Sequence, residues 1–323
     1  MHERVAKAVE KTLAGDLVAA ASLMRALDDD LPGAREALRA IYPHGGRAFV
    51  VGVTGAPGVG KSTLVDALVA TARGKGERVA VVAVDPSSPF SGGALLGDRV
   101  RMQRHALDDG VFIRSLATRG AQGGLSRSTT ATVAVLDATG FPLVFIETVG
   151  AGQAEIDVAD AADAVVVVTA PGLGDEVQAL KAGLLEIADV LVVNKGDREG
   201  ADRAMADLTT MLGLAARPSR PGEPPRAAPA LVRASATGGD GVADVMAAID
   251  ALRGAPAEDR AARRRRQAVR QITAIVGEQA RAAASAAIGT ERAPGPLAAT
   301  IDQVAVRKLD PWSAAEALTT AKT

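Results

Sequence analysis

Residues 48–63 read AFVVGVTGAPGVGKST. The run Ala48–Val53 is apolar on nearly every residue, which suits a strand covered on both faces. Gly55-Ala56-Pro57-Gly58-Val59-Gly60-Lys61-Ser62-Thr63 then matches the phosphate-loop pattern, GxxxxGK followed by Ser or Thr. From Ser62 to Ala72 the apolar positions take a helical spacing. Glycines let successive backbone N–H groups turn inward on a phosphate, and the helix N-terminus adds partial positive charge. In this reading Lys61 reaches the β- and γ-phosphate oxygens and the Ser62 hydroxyl is a Mg²⁺ ligand. A glycine-rich turn without a ligand is the competing reading, and the strand before it and the helix after it weigh against that.

Outward from this stretch, short apolar runs alternate with helical ones. Val79–Val84, Val111–Arg114, Leu143–Ile146, Ala164–Thr169, Val190–Val193 and Leu231–Arg233 join Ala48–Val53 as strands. Ser62–Ala72, Ser126–Ala138, Val177–Ile187 and Ala201–Leu212 read as helices between them. Such alternation predicts an α/β fold with a mostly parallel sheet and right-handed crossovers. Before it, residues 1–46 form an N-terminal helical segment, with helical periods broken at Gly15-Asp16 and at Asp30–Gly33. Residues 47–254 form the sheet domain. Residues 255–323 form a C-terminal helical arm, Ala- and Arg-rich to Ala287, with Asp310-Pro311 as N-cap and first-turn proline of its last helix. Arg217–Pro229 has five prolines and no period, and is a loop or insert.

Asn194-Lys195-Gly196-Asp197 directly follows the strand Val190–Val193, at the end where parallel sheets bind ligands. A carboxylate at Asp197 can accept from guanine N1–H and the 2-amino group together, and adenine offers no matching donors. The Lys195 stem can lie on the base, and Asn194 can tie this loop to the phosphate loop. Asn, Gly and Asp are also ordinary turn formers; their place downstream of a phosphate loop favours GTP over ATP. Ser235-Ala236-Thr237 supplies a third loop, whose backbone N–H can reach the guanine O6.

Asp85 ends one strand and Glu147 another, on the side that carries the phosphate loop. Each can hold Mg²⁺ directly or through water, with a helix cap or solvated turn as the plain alternative. Asp98 in the glycine-rich stretch Ser91–Arg99 and Gln153 are both candidates to orient the attacking water, and the choice between them is open. Such catalysis is mostly positioning and charge stabilisation, so neither need be a strong base.

Composition narrows the rest. The chain has 323 residues and a net charge of −1, against the basic excess expected of a nucleic-acid coat. It has no cysteine and three histidines, which excludes disulfides, thiolate nucleophiles and Cys-built metal sites. No apolar run approaches the roughly 18–20 residues of a membrane span, and the charged start carries no signal-peptide core. A cytoplasmic protein is expected, without nucleic-acid or membrane partners. The run Arg263–Arg266 reads as a solvated helix face, and Trp312 as a core or dimer contact.

Taken in order, GAPGVGKST, DPSS, GGALLGDRVRM, RGAQGGLSRST, ETVGAGQAEID, APGLGDEVQALKAGLLEIAD and NKGD resemble the methylmalonyl-CoA mutase-associated GTPases of the MeaB or ArgK type, in the G3E group of P-loop GTPases. The resemblance runs from about Leu13 to Leu318. It implies a GTP-hydrolysing chaperone of a cobalamin-dependent acyl-CoA mutase that gates adenosylcobalamin delivery, with Mg²⁺ as cofactor. It also implies a homodimer through the C-terminal arm. Lys61, Ser62, Asp85, Asp98, Glu147, Asn194 and Asp197 fall on its motif positions. Asp175, Lys181 and Glu186 fall in the segment that couples nucleotide state to the mutase; on their own they are polar positions on or beside a helix. Glu-x-x-Gly at Glu147 departs from the Asp-x-x-Gly of most GTPases. The Arg217–Pro229 insert departs from the family's tryptophan-containing stretch. A P-loop kinase and a metallochaperone GTPase are the rivals; the first has little need of guanine, and the second uses His- or Cys-rich stretches.

Overall fold

The structure, a computed structural model, describes residues 3–85, 102–117, 127–148, 154–172, 183–214, 227–290, 293–294 and 298–320. Three helices open the chain: α1 (Glu3–Leu13), α2 (Leu17–Asp28) and α3 (Ala34–Ile41). Asp16 caps α2, its carboxylate accepting from Val18 N at 2.9 Å and Ala19 N at 3.0 Å. There follow β1 (Phe49–Thr54), α4 (Lys61–Gly74), β2 (Val79–Asp85), β3 (Val111–Ala117), α5 (Arg127–Ala138), β4 (Leu143–Thr148), α6 (Ala154–Ala161), β5 (Ala164–Thr169) and β6 (Val190–Val193). The described part of the expected helix Val177–Ile187 includes a single turn, Leu185–Ile187. Then come α7 (Ala201–Leu214), β7 (Ala230–Arg233), α8 (Val242–Arg253) and α9 (Ala257–Ile288). A two-stranded antiparallel ribbon, β8 (Gly289–Thr290) and β9 (Ala293–Pro294), precedes α10 (Ala298–Ala305) and α11 (Pro311–Thr320).

The seven strands β1–β7 form one sheet in the order β3-β2-β4-β1-β5-β6-β7, every pairing parallel. This is the α/β architecture expected from the strand–helix alternation. Successive residues of a strand face opposite sides, so a strand buried on both faces must be apolar throughout. In β4, Val144 and Ile146 pack toward α2 and α5. Leu143 and Phe145 pack toward α4 and α8, against Leu64, Leu68 and Ile249. Burying each such side chain is worth about 1.5–3 kcal/mol. Several strands run longer than their apolar runs, because the polar residues Asp85, Glu147 and Thr148 continue the ladder at the sheet's C-terminal end.

The opposite end of the sheet is closed by aspartates. Asp163 Oδ2 accepts from Val50 N at 2.9 Å, and Asp189 Oδ2 accepts from Val165 N at 2.9 Å. Asp137 accepts from the backbone N–H groups of Gly46, Arg47 and Ala48. Each satisfies backbone donors at or just ahead of a strand start. Burial pushes the Asp163 carboxyl up, against the pull of the Val50 N–H and of Arg264 and Arg263. Arg263 pairs with Asp189 at 3.0 Å, and Arg264 donates to the Gly46 carbonyl. The arginine run is thus not simply a solvated face: two of its members fasten the start of α9 to the strand starts.

The chain divides into two compact units, Met1–Arg264 and Arg265–Thr323. In the second, Asp310 caps α11 as expected, accepting from Trp312 N and Ser313 N at 3.0 Å each. Trp312 itself is 79% exposed, so it is not a core residue of this chain.

Candidate nucleotide site

β1 delivers the chain to the C-terminal end of the sheet, where the topology switches from β4 on one side to β5 on the other. α4 starts at once on Lys61, so its first backbone N–H groups open toward that end. Lys61 is 7% exposed, and its ammonium donates to the carbonyls of Gly55 at 2.6 Å and Ala56 at 2.9 Å. A full positive charge is thereby held inside the curl of the loop.

The Ser62 hydroxyl donates to Glu147 Oε1 at 2.5 Å, and both residues are buried. Glu147 stands in register with Val53 of β1, which sets it beside the first turn of α4. Two hard oxygen donors meeting there fit a Mg²⁺ ion, which takes one or two protein ligands and keeps much of its water. Asp85 closes β2, the strand adjoining β4, and its backbone lies at the same sheet end. Thr148 Oγ1 donates to Thr54 Oγ1 at 3.1 Å behind this pair.

Asn194 follows β6 and is 2% exposed. Its Nδ2 donates to the Val59 carbonyl at 2.8 Å, and its Oδ1 accepts from Ala236 N at 3.0 Å. One side chain thus joins the phosphate loop, the base loop and the third loop. The approach is so close that a Cβ on Gly60 would lie 2.5 Å from Nδ2, and Gly60 also has φ +95°. Lys195 donates to the Gly58 carbonyl at 2.6 Å, spanning the two loops with its stem. Asp197 is exposed, and the Ser235 hydroxyl bonded to it holds its carboxyl below the usual carboxylate range. Its own backbone N–H and the charges of Arg198 and Arg233 act the same way. Such a carboxylate is an acceptor only, as guanine recognition requires. Thr237 lies in the turn beyond Ala236.

The structure therefore gathers 55–63, Glu147, Asn194–Asp197 and Ser235–Thr237 at one sheet end. Asp98, Gln153, Asp175 and Lys181 lie outside the described residues, as does the side chain of Asp85. Glu186 is exposed in the turn ahead of β6. Sequence reasoning missed Arg233, whose guanidinium grips the base loop, and the pairing of Arg104 with Asp66 of α4 at 2.6 Å. An arginine directly ahead of Ala-Ser at a strand end was the available signal for the first; the second joins residues too distant in sequence to be read.

The profile of the family described as Methylmalonyl Co-A mutase-associated GTPase MeaB matches residues 21–288. A protein of Pyrococcus abyssi is 55% identical over 206 residues, 64% of this chain and 64% of its own length. The GTPase ArgK of Escherichia coli K12 is 43% identical over 160 residues, 50% of this chain and 48% of its own. The chain thus spans less than two thirds of these curated relatives. The crystal structure of a LAO/AO transport system kinase superposes with a TM-score of 0.73 at 25% identity, covering 100% of this chain and 99% of that one.

Proposed function

Because the chain belongs to the family of methylmalonyl-CoA mutase-associated GTPases, we propose that it binds and hydrolyses GTP in the service of a cobalamin-dependent acyl-CoA mutase. Methylmalonyl-CoA mutase is the client that the family's description favours. The role is that of a chaperone: GTP binding and hydrolysis gate adenosylcobalamin delivery and protect or reactivate the mutase. The observation that carries the reading is the convergence of the Lys61 loop, the Ser62–Glu147 pair and the Asn194–Asp197 loop at one sheet end.

In this reading the backbone N–H groups of 55–63 and the Lys61 ammonium bind the phosphates. Asp197 accepts from the guanine edge, Lys195 lies along the base, and Ala236 N faces O6. Ser62 and Glu147, with Asp85, hold Mg²⁺, which when bound neutralises phosphate charge. Asp98 or Gln153 orients the attacking water. Asp175, Lys181 and Glu186 couple nucleotide state to the mutase. Asp85→Ala and Glu147→Ala are each expected to raise the Mg²⁺ concentration needed for half-maximal turnover, and an unchanged titration would remove that residue from the metal site. The reading as a whole is tested by phosphate release from GTP and ATP, with and without the purified mutase. GTP-selective turnover that responds to the mutase is expected; equal use of ATP, or indifference to the mutase, counts against it.

The division at 46/47 and 254/255 and a homodimer through the arm belong to the same proposal. Support for the dimer comes from α9, where Val269, Ile272 and Val276 share one helix face and are 59%, 62% and 57% exposed. Light scattering at tens of micromolar should read twice the chain mass; a monomer would remove the arm's role and leave the nucleotide site untouched.

Among the described residues, no helix is long and apolar enough to cross a membrane.

A further inference from the structure

Arg233 is the last residue of β7, in register with Val193, the last of β6. Its guanidinium crosses to the loop beyond β6. Nε donates to the Gly196 carbonyl at 2.7 Å, Nη2 donates to the same oxygen, and Nη1 donates to Asp202 Oδ1 at 2.6 Å. The Gly196 N–H donates to the Ala234 carbonyl at 2.8 Å. Both backbone polar groups of Gly196 are thus held by the end of β7. The fit leaves no room: a Cβ on Gly196 would lie 2.6 Å from Arg233 Cγ and 3.0 Å from the Ala234 oxygen.

The loop needs this grip. Lys195 has φ +55°, a left-handed conformation that residues other than glycine rarely adopt. Such strain persists only where the surroundings over-determine it. The Gly196 carbonyl that Arg233 holds belongs to the peptide that enters Asp197, so any relaxation there swings the carboxylate.

We propose that Arg233 is a positioning residue for guanine selectivity: its fork on the Gly196 carbonyl, braced by Asp202, aims the Asp197 carboxylate at the base edge. The proposal rests on the reading of Asn194–Asp197 as the guanine loop. A purely structural role is the alternative. The Arg233 side chain is 45% exposed and that of Asp202 94%, and such surface pairs contribute little to stability. What the fork fixes is direction, and lysine, a point charge without a fork, cannot replace it.

The experiment measures GDP and IDP affinities by calorimetry for wild type, Arg233→Ala and Arg233→Lys in the full chain. Inosine keeps N1–H and O6 but lacks the 2-amino group, so the GDP/IDP ratio reads the second hydrogen bond to Asp197. In both variants GDP is expected to weaken by about tenfold, as for one charged hydrogen bond. IDP should weaken less, so the ratio narrows. An unchanged ratio in Arg233→Ala, or equal losses of both nucleotides, would overturn the proposal. So would a wild-type ratio in Arg233→Lys. Should Arg233→Ala fail to fold, Arg233→Lys carries the comparison, since it keeps the stem and the charge. A wild type that binds IDP or ADP as tightly as GDP overturns the guanine reading itself, and that is seen before any variant is made.

Discussion

Lys61→Ala is expected to lower GTP turnover by about 10²–10³-fold, the usual cost of removing one preorganised donor aimed at developing charge. The side chain is buried, and its ammonium donates to the carbonyls of Gly55 and Ala56. It fills no apolar layer: the α4 residues that hold the sheet are Leu64, Val65, Leu68 and Val69. The fold should therefore survive, with circular dichroism unchanged. Loss of the charge leaves the helix N-terminus and the glycine amides to bind phosphate alone. GTP binding should weaken less than turnover falls, because the charge that builds up on the transferring phosphoryl group is the larger demand. Normal turnover in a folded variant would end the assignment of residues 55–63 as the catalytic phosphate loop.

Asp197→Asn is expected to cost about 3–5 kcal/mol of GTP affinity, on the order of 10²–10³-fold or more in Kd. Two charge-assisted hydrogen bonds are lost, and an amide presents a donor where guanine also presents one. The carboxylate is exposed and held below its usual range by Ser235, so its ionisation is not in question near neutral pH. Xanthosine triphosphate, which carries an oxygen in place of the 2-amino group, should bind the variant better than GTP does. Retention of GTP affinity, or no gain for xanthosine triphosphate, would move the base contact away from Asp197.

The strands were readable because a parallel sheet buried on both faces leaves no polar position inside it. Val81 and Val82 go to opposite layers and both must be apolar. Their ends were harder. Thr148 and Asp85 are polar, look like loop residues, and yet extend the ladder. The phosphate loop was readable since its chemistry is local: nine consecutive residues hold the glycines, the lysine and the serine. Arg233 was not, because its meaning depends on Gly196 lying beneath it, 37 residues earlier in the chain. Arg263 likewise looked solvated, since its partner Asp189 is 74 residues away. Of the two readings of Trp312, a core or a dimer contact, its exposure in the single chain removes the first, since bulk alone does not fix burial within one chain.

Three contacts that assemble the site are also far from local. Ser62 reaches Glu147 across 85 residues, Asn194 reaches Val59 across 135, and Lys195 reaches Gly58 across 137. Folding slows as the mean sequence separation of contacts grows, since each long loop must close before its contact rewards the closure. The glycine loop can curl early, but its carboxylate and base partners arrive only after the central strands pair. A nucleotide would then bind after the folding barrier has been crossed, and would slow unfolding without speeding folding. A bound nucleotide would thus double as a clasp across parts of the chain far apart in sequence, and each departure of product would lower the barrier to unfolding until the next nucleotide arrives.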